Sequence, residues 1–158
     1  LRRQRQMCIR DRRLNNDKTR GQQVARLNEL RLGIEPVAAR LAAGNATAQQ
    51  RAELLRLAAR LAELESTPSP RVGEELETDL RFHTLILRAS GNEMLAALAP
   101  SLVAMLKGKS VFGSHKRDPI SGTTQLHMEL ARAIDAGLAD AAEETSRTIL
   151  DRTRAENG

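Results

Sequence analysis

Asp79 and His83 stand four residues apart in Asp79-Leu80-Arg81-Phe82-His83, so a helix would set a carboxylate and an imidazole on one side, a turn apart. Such a pair can grip one ion. A second imidazole, His127, follows 44 residues after His83, and Ile149 lies 22 residues beyond it. The two flank Gly137, where a turn is expected, at ten residues before and twelve after, so an antiparallel helix pair would hold them at similar heights. Asp79, His83 and His127 are thus candidate ligands of a divalent ion. Singly, each has a plainer reading: Asp79 and His83 can share a hydrogen bond, and His127 can be a satisfied core histidine. Without an ion, His83 and His127 could donate to an anionic ligand when protonated.

Arg31 is the other candidate. Leu27, Arg31, Ile34, Ala38 and Leu41 make one helical stripe in which only Arg31 is not apolar. An inward guanidinium can hold a carboxylate through two parallel hydrogen bonds. Its alternative is an ion pair with Glu35, one turn on.

The positioning elements read as helices throughout. A first, near 22–43, should end at Gly44 in the left-handed conformation, with Pro36 as a possible kink. Thr47 with Gln50 forms a capping box for a second helix carrying Leu54, Leu57, Ala58, Leu61 and Leu64, which Thr67-Pro68-Ser69-Pro70 breaks. A third, near 71–89, stops before Gly91 and places Val72, Leu76, Asp79, His83 and Ile86 on one stripe. Asn92 caps a fourth. Residues 109–121 read as the longest loop and include His115, a solvated residue. A fifth helix, near 122–136, ends at Gly137, and Asp140 with Glu143 opens a sixth with Ala142, Thr145 and Ile149 on Leu138's stripe. The expected fold is all-α, an antiparallel bundle of about six helices.

Residues 1–20 hold eight of the 25 Lys and Arg and two of the 20 acids, so they contribute +6 to a net charge of +5 and leave the rest at −1. The apparent basicity therefore does not make the folded part a nucleic-acid binder. The chain has no Trp or Tyr and only two Phe, too few rings to stack on bases. Its one cysteine, Cys8, excludes a disulfide framework within the chain. No apolar run reaches the roughly 18 residues that span a bilayer, so no membrane partner is expected and a cytoplasmic location is.

Leu27-Asn28-Glu29-Leu30-Arg31 running into Ile34-Glu35-Pro36, then Phe82-His83 followed by Ala89-Ser90-Gly91-Asn92, together with the Asp79, His83, His127 spacing, resemble the ligand-binding, FCD-type C-terminal domain of GntR-family transcription regulators of the FadR subfamily. The resemblance covers roughly residues 24 to 155. It implies a domain that senses rather than catalyses, a small organic acid or sugar acid effector met by Arg31, His83 and His127, a homodimer, and a metal (zinc, nickel or manganese) on Asp79, His83 and His127. Ile149 stands where that family commonly has a further histidine, so the metal is expected to be weakened or lost. DNA would be reached only through a winged-helix head that such regulators carry before this domain and that is missing from this sequence. Two other readings compete: a small metal-dependent hydrolase on the same triad, and a stand-alone helical ligand-binding module. Against the hydrolase, neither a Ser–His–Asp arrangement nor a spare inward carboxylate is evident.

The expected division is therefore a head over residues 1–20, disordered and either a linker or non-native, and an effector-binding, dimerising helical domain over 21–158. Met7-Cys8-Ile9-Arg10-Asp11-Arg12 resembles the translation of a transposon-end oligonucleotide used in preparing sequencing libraries, which would make it a technical scar.

Overall fold

A computed structural model of the chain describes residues 17–112 and 123–156. Among them are six helices and no strand: α1 (Asp17–Asn45), α2 (Ala48–Ser66), α3 (Glu74–Ala89), α4 (Glu93–Phe112), α5 (Thr123–Asp135) and α6 (Ala139–Glu156). The all-α bundle is as expected. The suspected scar at residues 7–12 and His115 lie outside the described residues.

Local chemistry sets several of the boundaries. Thr47 Oγ1 accepts from the Gln50 N–H at 3.1 Å while the Gln50 side chain accepts from the Thr47 N–H at 3.0 Å, closing the capping box that opens α2. Asn92 Oδ1 accepts from the Met94 N–H at 2.9 Å and starts α4. Behind α5, Gly137 has φ 72°, with Leu138 N–H reaching Ala133 O at 2.9 Å and Gly137 N–H reaching Ile134 O at 3.1 Å. This paired closure needs a left-handed residue, which glycine adopts without a Cβ clash.

Several boundaries differ from the sequence reading, and α1 itself begins at Asp17 where a start near 22 is expected. Gly44 does not end α1 in a left-handed turn; the helix runs on to Asn45, and Ala46 N–H still bonds Ala42 O at 2.9 Å. The cause is Arg51, which donates to Ala43 O at 2.9 Å and Ala46 O at 3.1 Å and so satisfies carbonyls at the end of α1. Val72 lies ahead of α3 and is fully exposed, so the inward stripe of that helix begins later. Residues 109–112, expected in a loop, continue α4. Asp140 does not cap α6 but sits in its first turn, where Asp140 and Glu143 both accept from Arg40, Glu143 at 3.1 Å.

α1 is the central element, packing most extensively on α6 and also touching α3, α5 and α4. Its buried face is built of small residues, Ala38, Ala39, Ala42 and Ala43, which let neighbouring backbones approach closely. Around it, Leu54, Leu57 and Leu61 of α2, Phe82, Ile86 and Leu87 of α3, Leu130 and Ile134 of α5 and Ile149 of α6 form one continuous core. No helix among the described residues is long and apolar enough to cross a membrane.

Arg51 also donates to the carbonyls of Ile134 and Asp135, the latter at 3.1 Å, tying the C-terminal ends of α1 and α5 to the start of α2. Replacing it strands several carbonyls at once, so Arg51→Met is expected to lower the unfolding free energy by about 2 kcal/mol. Arg56→Met, which breaks only a surface pair with Glu53, serves as the comparison in urea titration and is expected to change little. Equal effects from the two variants would contradict the clamp.

Candidate metal centre

Three helices converge on the polar cluster. α3 supplies Asp79 and His83, α5 supplies His127 and Thr123, and α1 supplies Arg31 and Glu35. The Phe82 ring packs in edge-type contact with both imidazoles, its centroid 5.7 Å from that of His83 and 5.0 Å from that of His127, and limits their rotation.

The hydrogen bonds on the outer sides of the imidazoles decide what their inner sides can do. His127 Nδ1 lies 2.6 Å from the Thr123 carbonyl, which only accepts, so Nδ1 carries the proton. His83 Nδ1 lies 2.7 Å from Glu35 Oε2, a carboxylate that accepts in the same way. In its neutral form each ring then turns an unprotonated Nε2 inward. The two Nε2 atoms are 3.3 Å apart, and Asp79 Oδ1 lies 3.2 Å from that of His127 and 3.5 Å from that of His83. A tetrahedral ion with bonds of ~2.0–2.1 Å separates neighbouring donors by about 3.3 Å. The Asp79, His83 and His127 donors are already spaced as three corners of such a figure, and they are the described His, Asp, Glu or Cys group that could hold a metal.

Three acceptors this close need a cation or a proton between them. Without an ion the proton resides on His83. Burial opposes its charge, but the facing carboxylates of Glu35 and Asp79 more than compensate and raise its pKa to about 9. Burial likewise works against the Glu35 carboxylate, and the charges of Arg31 and His83 with their hydrogen bonds reverse this and bring it to about 2. Asp79 is held well below the usual carboxylate range, against burial, by the charge of His83 and the hydrogen bond from it. Its surroundings are dense with protein, yet 36 % of its side chain remains exposed, against 4 % for His83 and 6 % for His127. Asp79 therefore marks the side of the cluster open to solvent.

Arg31 faces inward as expected, but its guanidinium is already engaged: Nε donates to Glu35 Oε1 at 2.6 Å, with a longer contact from Nη2 to Oε2 at 3.4 Å. Ile149 is buried in the apolar core. Glu35 is the residue that the sequence reading left in a secondary role. The buried face of α1 passes through Arg31, Glu35, Ala38 and Ala42, whereas Ile34 and Leu41 are only half-buried. The signal was a second charged residue at helical spacing from Arg31 and Ala38. Glu35 also corrects the expectation that no spare carboxylate points inward, although Arg31 and His83 leave it a weak base.

The family model for the FCD domain matches residues 26–152. The chain belongs to the FCD domain family. This FCD domain is also similar in fold to a solved structure described as Streptococcus agalactiae GntR, with a TM-score of 0.72 and 24 % identity, over 89 % of this chain and 61 % of that one. The chain thus spans less than two thirds of that relative's length. A search of curated proteins gave no match.

The buried charges make stability depend on pH in a stated sense. Glu35, lowered from 4.5 to about 2, stabilises fully above its unfolded value and loses that contribution as pH falls toward 2. His83, raised from 6.5 to about 9, stabilises fully below its unfolded value and loses that contribution as pH climbs through 9. With chelator present, denaturation midpoints are therefore expected to be highest between about 4.5 and 6.5 and to fall on both sides. Glu35→Gln should flatten the acid limb; an unchanged acid limb would contradict the Glu35 assignment.

Proposed function

We propose that this FCD domain is the effector-sensing part of a GntR-type regulator of the FadR subfamily. It would bind a divalent metal on Asp79, His83 and His127 and a small carboxylate or sugar acid beside it. The spacing of the three donor atoms, at 3.2, 3.3 and 3.5 Å, carries the metal reading. A bound ion would supply a fixed positive charge for an anionic effector. His83 and His127 would orient it, Asp79 would hold its solvent-facing side, and Arg31 would offer an effector carboxylate a guanidinium already ordered by Glu35. Zinc, nickel and manganese suit such a set of two imidazoles and a carboxylate, and Ile149 in place of a further donor keeps the affinity modest.

The regulatory reading goes further than the site. Effector would act by binding one arrangement of the helices better than another, and a winged-helix head outside this sequence, paired through a homodimer, would pass that preference to DNA in the cytoplasm. The FCD family match supports it.

Calorimetric titration of chelator-treated protein with zinc, nickel and manganese tests the metal site. Saturable binding at one site per chain is expected, lost by roughly a hundredfold or more in His83→Ala and His127→Ala, since direct ligands matter more than outer-shell ones. Ile149→His should tighten it. Chelation should lower stability by less than about 4 kcal/mol, a ceiling that corresponds to metal at ~1,000 times its Kd. Binding that survives both alanine variants would overturn the assignment.

A further inference from the structure

A metal-binding imidazole must present a lone pair, and which nitrogen presents it is set by what holds the other one. For His127 the holder is a backbone carbonyl of its own helix, Thr123 O at 2.6 Å, which no side-chain substitution removes. For His83 it is a side chain from a different helix. Glu35 Oε2 sits 2.7 Å from His83 Nδ1, and Glu35 Oε1 is anchored by Arg31 Nε at 2.6 Å. The Glu35 side chain is only 2 % exposed and its partner Arg31 5 %. A carboxylate so deeply placed is costly to bury, and its two oxygens divide the work: one faces a cation that can only donate, the other faces the ring.

We propose that Glu35 is the positioning residue of the centre: by accepting the Nδ1–H of His83 while Arg31 locks its other oxygen, it sets the tautomer that aims His83 Nε2 at Asp79 and His127. The inference rests on the reading of Asp79, His83 and His127 as a metal centre. Because Arg31 and Glu35 belong to α1, His83 to α3 and His127 to α5, the donor set is complete only when these three helices are in register.

The isosteric variant Glu35→Gln separates positioning from packing. An amide has one acceptor oxygen, and the NH2 group cannot face Arg31 because both are donors. The glutamine oxygen therefore goes to Arg31 and its NH2 turns to His83 Nδ1, which must then accept. The proton moves to Nε2, where it donates to Asp79 or His127. The side-chain shape and the bonds to Arg31 Nε and to the His83 ring are kept, while Arg31 loses its counter-charge and the longer Nη2 contact, so the variant is less stable, and His83 now points an N–H at the place of the ion.

Two readouts are taken on the full chain. Zinc affinity by competition with a chromogenic chelator is expected to fall about tenfold to a hundredfold in Glu35→Gln, the range for outer-shell partners. Long-range 1H–15N spectra of the metal-free protein at alkaline pH, where the ring carries one proton, should show His83 protonated at Nδ1 in the unsubstituted chain and at Nε2 in the variant. The same tautomer in both, or zinc affinity unchanged by the substitution, overturns the proposal. If the unsubstituted chain takes up no zinc, the metal reading falls instead. The tautomer spectra, which need no metal, then still decide whether Glu35 sets His83.

Discussion

The rest of the structure depends on the ion pair between Arg31 and Glu35, both nearly sealed from solvent on the inner face of α1. Each charge alone would be expensive to bury, and their mutual attraction offsets that cost only when further hydrogen bonds complete the set. His83 completes it on one side and, through Asp79, carries the alternation of charge outward to the exposed edge of the cluster. Removing a single member leaves its neighbour charged and unpaired, which typically costs about 3–5 kcal/mol. A hydrocarbon core of equal volume would be as stable or more so, and among the described residues the bundle builds its main core from Ala, Leu, Ile and Phe. The polar chain therefore marks the place where stability gives way to chemistry.

What the chain of charges delivers is a set of three inward acceptors held at close range by partners on their outer sides. Such a set binds a proton or a metal in the same place, so the His83 proton and a divalent ion are competitors for it. The bundle restricts access to one side. Phe82 and the core close the cluster from within, while the Asp79 side chain stays partly exposed. A ligand approaching from outside would meet the carboxylate first and the imidazoles behind it. Because α1, α3 and α5 each contribute side chains to the cluster, a change in its occupancy would act on three helices at once, as the proposed sensing role would require.

The all-α fold was legible because helix ends carry local signals. Thr47 with Gln50, Asn92 and Gly137 each act within a few residues, and each does in the structure what its type implies. Gly44 misled because its role depended on a residue outside its own helix: Arg51 supplies the cap that a left-handed glycine would otherwise have helped provide. Val72 misled because its apolar type continued the α3 stripe past the point where the backbone leaves the helix. Within the site, Asp79, His83 and His127 were readable from their types and spacing. Glu35 was less so, since Ile34 fitted an apolar stripe equally well, and only the placement of α3 beside α1 shows that position 35, and not 34, faces His83. Contacts between helices distant in sequence are invisible to periodicity.

X-ray absorption spectroscopy of the zinc-loaded chain would test the central claim most directly, because it counts and identifies the donors around the ion. The account predicts a first shell at about 2.0–2.2 Å with the multiple-scattering signature of two imidazoles and the remaining positions filled by oxygen, reduced to one imidazole in His127→Ala. A shell of oxygens alone, or a spectrum that His127→Ala leaves unchanged, would place the ion elsewhere and contradict it.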